Sequence, residues 1–163
     1  MLFLIEAVIF CALFTVAVVP SLLHNPLDWI SSYPPEIKER AKELGLVPME
    51  EKRMSTPELV RKIVVSLVMA VLLALLLRYV NGAETFRQGF LLSYGLCLVI
   101  AWYDALVLDC LWFCHSKRVI IPGTEDLQAS YHDYAFHLKM SVLGMVISLP
   151  IALLAGLGVM LLG

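Results

Sequence analysis

Asp104, Asp109, His115, Asp133 and His137 are the side chains whose types and spacing could do chemistry. The two aspartates stand in a run that is otherwise almost wholly apolar. An ionised side chain at the centre of a bilayer costs about 2.5 to 3.5 kcal/mol on insertion scales, so a carboxylate there calls for a partner or a function. With a rise of about 1.5 Å per residue, Asp104 lies about 16 Å and Asp109 about 9 Å from the helix end at His115. Five residues of α-helix turn through roughly 140°, which sets the two carboxylates on different sides. Asp104 then shares its side with Ser93, Cys97, Leu111 and His115, and Asp109 with Trp102, Ala105, Trp112 and Phe113. The expectation is two separate interior partners rather than one carboxylate dyad.

Asp133 and His137 are one helical turn apart, so the carboxylate can orient the imidazole, as in an acid/base pair or behind a metal ligand. His132 points to another side of the same helix, which excludes the i, i+4 histidine pair of a zinc protease. The sequence therefore predicts a site at one end of the third and fourth apolar segments. Asp109, His115 and His137 lead it, Asp133 supports it and Asp104 lies deeper. The competing expectation is that Asp104 and Asp109 are buried hydrogen-bonding partners that hold helices together, while the histidines and loop acids are ordinary solvated residues.

Cys11, Cys97, Cys110 and Cys114 read as structural thiols, small apolar groups on helices. Cys110, Cys114 and His115 could join a soft-metal site, but two sulfurs on one helical side need ligands from elsewhere. No cofactor and no metal is assigned. Glu6 should reach outward or pair with Arg78 or Arg87.

These residues have to be positioned by helices in lipid. Of the 163 residues 60% are hydrophobic and only 16% charged, with a formal net charge of -2; the mean hydropathy is +0.84. Ordinary soluble domains carry near a quarter charged residues, so a soluble globule, a disordered tail and a disulfide scaffold are excluded. The near-neutral balance also argues against a nucleic-acid surface, which needs clustered Lys and Arg. About 20 residues of helix cross the hydrocarbon of a bilayer. Four apolar segments meet that length, at about 2–23, 59–80, 89–115 and 136–162. The fold class is an all-α, multi-pass integral membrane protein, a bundle of four transmembrane helices forming a single domain over 1–163. The first segment reads as a retained helix rather than a signal peptide, because Glu6 interrupts it and no positive side chain precedes it.

Ten of the 12 Lys and Arg residues fall in the two larger connections or in the span ends that adjoin them, leaving only Arg78 and Arg87 on the other side. The positive-inside bias puts those connections in the cytoplasm and both termini outside it, in the plasma membrane for preference. Within the connection 24–58, Asn25-Pro26 and Pro34-Pro35 break the chain, and Glu36 to Leu44 form a short charged helix ended by Gly45. That helix should lie on the membrane surface, with Trp29, Ile30 and Tyr33 at headgroup level. Ser55-Thr56-Pro57-Glu58 reads as a capping box opening the second span. Pro122 to Asp126 reads as a turn with Thr124 as the N-cap of the last helix.

Small residues at four-residue spacing should bring backbones together, since lipid provides no hydrophobic drive between helices. These are Ala7, Cys11 and Thr15; Ser66, Ala70 and Ala74; Gly89, Ser93, Cys97, Ala101 and Ala105; and Gly144, Ser148, Ala152 and Gly156. Pro150 should kink the last span.

Three functions fit. The first is a membrane-embedded enzyme acting on a lipid or isoprenoid, with Asp109, His115 and His137 in acid/base or ligand roles. The second is a transporter, channel or proton-coupled subunit using Asp104 and Asp109. The third is a non-catalytic assembly subunit whose ridges bind another helix or a second copy of the chain. The partners implied are the bilayer, a lipid-like substrate or a helix, and no nucleic acid. No phosphate-binding loop, dinucleotide fingerprint, nucleophile elbow or H-E-x-x-H occurs.

Overall fold

The computed structural model describes residues 1–49 and 55–163; Lys52 and Arg53, counted in the charge bias above, lie outside them. The described residues are mostly helical and include no strand. The helix α1 covers Leu2–His24, α2 Pro35–Glu43, α3 Thr56–Tyr79, α4 Phe86–Tyr103, α5 Gln128–Tyr131 and α6 Tyr134–Leu162. Four helical stretches are long and apolar enough to cross a membrane: Leu2–His24, Thr56–Tyr79, Phe86–His115 and Gln128–Leu162. Only 17 to 22% of their most apolar windows is buried within the chain. Such apolar exteriors suit lipid as the surrounding solvent, consistent with an integral membrane protein.

Local chemistry explains the boundaries. Ser55 and Glu58 form the expected capping box: the Ser55 hydroxyl accepts the Glu58 N–H and the Glu58 carboxylate accepts the Ser55 N–H at 2.9 Å. Ahead of α4, the Gln88 side chain accepts the N–H groups of Glu84 and Thr85, and the Thr85 hydroxyl accepts that of Gln88. The turn that leads there passes through Gly82 at φ 67°, a left-handed conformation open to glycine. Pro150 lies inside an unbroken α6.

By its internal contacts the chain forms two compact units. One comprises Met1–Phe10, Arg53–Ala101 and Val142–Gly163; the other Cys11–Lys52 and Trp102–Ser141. In the first unit small residues let backbones meet. A Cβ at Gly156 would stand 2.9 Å from the Phe86 carbonyl oxygen and 3.0 Å from the Phe90 nitrogen. At Gly89 it would meet Val159 at 2.8 Å, and at Gly158 the Cβ of Ala74 at 2.7 Å. The Ser93 hydroxyl, fully buried, bridges the carbonyls of Phe90 and Ala152 on two helices. Ala7, Leu73, Leu96 and Ala155 form one core there, and Ala74, Leu77, Ala83 and Val159 another. The expected ridge of α6 holds in its second half: Ala152 and Gly156 are buried at the contact, joined by Ala155, Gly158 and Val159, while Gly144 faces open space. Glu6 departs from expectation too. It is 6% exposed and accepts a hydrogen bond from the Asn81 amide at 2.9 Å, whereas Arg78 pairs with Glu84.

The second unit is built on an aromatic core rather than on ridges. Tyr33, Ile37, Phe113, Val119, Ile121 and Tyr131 are buried together. Tyr33 meets Phe113 edge-on at 5.0 Å and donates its hydroxyl to the Val119 carbonyl at 2.9 Å. Burial, reinforced by the Tyr131 phenol, pushes the Tyr33 phenol above its ordinary range. Tyr33 is thus a core residue and not a headgroup anchor. The apolar side of α2, Ile37 and Ala41, is also fully buried, so this helix spends its apolar stripe on protein rather than on the membrane surface. Arg40 pairs with Asp126, and the Ser130 hydroxyl bonds to Glu36.

Thr124 caps no helix. Its buried hydroxyl donates to the Ile121 carbonyl at 2.7 Å and receives a bond from the Tyr131 hydroxyl, which itself accepts the Ile121 N–H. The last long helix begins at Tyr134 instead, capped by Asp133, whose carboxylate accepts the Phe136 N–H at 2.9 Å.

Candidate active site in the second unit

The helix α4 does not end at Tyr103 but continues as a π-helix over Asp104–Trp112 and one 3₁₀ turn over Phe113–His115. In a π-helix, hydrogen bonds join residues five apart, so positions i and i+5 stack on one side; single-turn π segments recur at functional sites. The five-residue spacing of Asp104 and Asp109, read at the α-helical period, separates the carboxylates, and in the wider coil it unites them. The expected angular separation therefore does not hold, and of the two expected interior partners only that of Asp109 is present among the described residues. Asp104 lies close enough to both Asp109 and His137 to feel their charges. It makes no hydrogen bond or ion pair to the described residues.

His137 is 3% exposed and its Nδ1 lies 3.3 Å from the Asp109 carboxylate, which is 27% exposed. Phe113 and Phe136 meet the imidazole edge-on, at 5.1 and 5.4 Å between ring centres. A carboxylate at Nδ1 favours the tautomer with the proton there and leaves the Nε2 lone pair basic. That Nε2 atom is buried and has no hydrogen-bond partner among the described residues. Here the partner of His137 is Asp109, brought from another helix, and not Asp133 from its own. Asp133 is occupied by its capping bond, and the role of orienting carboxylate passes to Asp109.

His115 belongs to a second grouping. Its Nδ1 lies 3.1 Å from the Cys110 carbonyl and its Nε2 3.4 Å from the Tyr134 hydroxyl. The His132 ring stands perpendicular to it at 5.4 Å between centres, with Nδ1 2.7 Å from the Gln128 carbonyl. Both imidazoles line a cleft of about 580 Å³ together with Cys114, Lys117, Glu125 and Tyr131. The sequence sets His132 at the same end as His115 and His137 but gives no spacing that pairs it with either, so it is not among the expected site residues. Its nearness to His115 depends on the fold of the loop 116–127.

Of the five expected site residues, Asp109 and His137 pair, Asp104 shares the π-helix with Asp109, His115 lines the cleft, and Asp133 is a helix cap. All four cysteines are free thiols, Cys11 and Cys114 buried. Among the described residues no group of three or more His, Cys, Asp or Glu side chains is placed to hold a metal ion. Chemically, the Asp109–His137 couple can accept a proton at Nε2 and stabilise the resulting imidazolium.

No protein-family model, curated protein or solved structure matches the chain.

Proposed function

We propose that the protein is a membrane-embedded enzyme acting on a lipid or isoprenoid substrate by acid–base chemistry. His137 is the base, Asp109 the carboxylate that holds it, and Asp104 a second acid on the same side of the π-helix. The cleft beside His115 receives the polar end of the substrate. The observation that carries the reading is the His137 imidazole, held at Nδ1 by Asp109 and buried with Nε2 unpartnered. Buried polar atoms are nearly always satisfied, and an exception beside a charged partner is what a reaction centre requires. The excess of Lys and Arg in the two larger connections supports a plasma-membrane orientation with both termini outside the cytoplasm and the cleft on the cytoplasmic side.

The test is direct. The full chain is placed in nanodiscs containing phosphatidylglycerol, phosphatidylethanolamine and an isoprenoid phosphate, and the lipids are followed by mass spectrometry. Consumption of one lipid by the wild type, abolished in His137→Gln at unchanged thermal stability, is the expected result. No lipid consumed, or equal consumption by the variant, overturns the reading.

A proton-carrying subunit is the second reading. It is favoured by the Asp104 carboxylate, which has no hydrogen-bond or ion-pair partner among the described residues. Proton flux into proteoliposomes that stops in Asp104→Asn, without lipid turnover, would select it.

A further inference from the structure

We infer that the cleft bearing His115 and His132 is a binding site for the phosphate of a phospholipid headgroup. This deepens the lipid-enzyme reading by naming the group that holds the substrate; it rests on that reading only in taking the occupant to be a lipid.

The cleft is lined by the Lys117 ammonium, the Ser116 hydroxyl and two imidazoles, with Glu125 as the acidic side chain among them. The Lys117 ammonium makes no hydrogen bond or ion pair to the described residues. Each imidazole is tied at Nδ1 to a carbonyl of its own chain, Cys110 for His115 and Gln128 for His132, which turns Nε2 away from the backbone. When protonated, both rings carry an Nε2–H donor, that of His115 lying 3.4 Å from the Tyr134 hydroxyl, which it would share with a ligand. The Ser116 hydroxyl accepts the Arg118 N–H and so keeps its own proton to give. Glu125 is the opposing charge, and its carboxylate is engaged by the Gly123 N–H at 2.9 Å. An ammonium, two pinned imidazoles and a hydroxyl around one hollow match an anion with several acceptor oxygens, and charge-assisted bonds to phosphate are among the strong ones. A metal ion fits less well, because among the described residues no third ligand joins the two imidazoles.

Position argues for a lipid rather than a free ion. His115 is the last residue of the third apolar stretch and Gln128 the first of the fourth. The cleft therefore lies where apolar helix gives way to polar chain, the level of the phosphates in a bilayer. Its volume of about 580 Å³ falls within the range of small-molecule sites.

The experiment is calorimetric titration of the full chain in a nonionic, phosphate-free detergent. Three probes are compared: dihexanoyl-phosphatidylglycerol, dihexanoylglycerol, which lacks the phosphate, and inorganic phosphate. Saturable binding of the first is expected, with the other two weaker by about tenfold or more, equivalent to about 1.4 kcal/mol each. Lys117→Ala combined with His132→Gln should weaken the phospholipid by a similar factor, and Lys117→Arg should retain it. Lys117 is exposed, so Lys117→Ala alone decides if the double variant loses thermal stability. Equal binding of the phosphate-free lipid, inorganic phosphate as tight as the lipid, or an unaltered affinity in the variants would overturn the proposal. Phospholipid binding without any turnover would defeat the enzyme reading and leave this site standing, whereas turnover with no dependence on Lys117 and His132 would do the reverse.

Discussion

The two units solve the problem of holding helices together in opposite ways. In the unit containing Gly89, Gly156 and Gly158, backbones approach so closely that a single added carbon would collide, and the one fully buried polar side chain, Ser93, is satisfied twice. In the unit containing Tyr33, Phe113 and Tyr131, large rings fill the core and polar groups enter it. Many of those groups are matched: Tyr33 by Val119, and Thr124 and Tyr131 by each other and by Ile121. Asp104 and His137 Nε2 stand apart within that satisfied framework. Both lie in the second unit, where the buried Tyr33, Thr124, Ser130 and Tyr131 side chains are all hydrogen-bonded. The first unit also leaves buried polar atoms, Glu6 Oε1 and Asn81 Oδ1, without partners among the described residues, but there the two side chains bond to each other.

Four measurements sharpen or break that contrast, all in the full chain. The largest expected loss is in the close-packed unit. Gly156→Leu drives a side chain into the backbone at Phe86 and Phe90, and overpacking of this kind costs about 1 to 3 kcal/mol or more. Gly144→Ala, with nothing within 4 Å of the new carbon, should leave thermal unfolding unaltered. Equal effects would mean that the close approach does not hold the unit.

Tyr33→Phe comes next. It strands the buried Val119 carbonyl, and an unsatisfied buried acceptor costs about 1 to 3 kcal/mol, measured by denaturant unfolding. The raised pKa of Tyr33 adds a signature at high pH. Because the folded state holds the phenolic proton more tightly than the unfolded state, stability is fully present below the ordinary tyrosine pKa of about 10 and declines as pH rises above it. The decline should be shallower in Tyr33→Phe. Ser93→Ala is the smallest, about 0.6 kcal/mol, the average for interhelical hydrogen bonds in a membrane protein. A loss greater than that of Tyr33→Phe would reverse the ranking of the two units.

The sequence carried the helices well, because a bilayer imposes a length and an apolarity that few other structures need. Capping at Ser55 and Glu58 was equally legible, being set by neighbours in the chain. Angular position was not. The period of 3.6 holds only while the helix is α, and nothing in Asp104 to Trp112 announces a π-helix; the register of the two carboxylates was misread for that reason. Asp133 and His137 sit at a spacing that allows a contact, but a helix start next to an aspartate claims its carboxylate first. Tyr33 and Trp29 resemble interfacial aromatics by type, and only the fold of residues 116–131 shows Tyr33 to be a core ring. His132 entered the site by the same loop.

The central claim is that Asp104, Asp109 and His137 are arranged for reaction and not for stability. Asp109→Asn, assayed for thermal unfolding in detergent and for turnover of the lipid consumed by the wild type, tests it most directly. Asparagine still offers an oxygen to His137 Nδ1, so the melting temperature should stay within about 2 to 4 °C, the equivalent of roughly 1 kcal/mol. Turnover should fall by about a hundredfold or more, the scale of lost acid–base catalysis. A melting temperature lowered well beyond that range, with turnover retained, would contradict the claim and make the pair a structural tie.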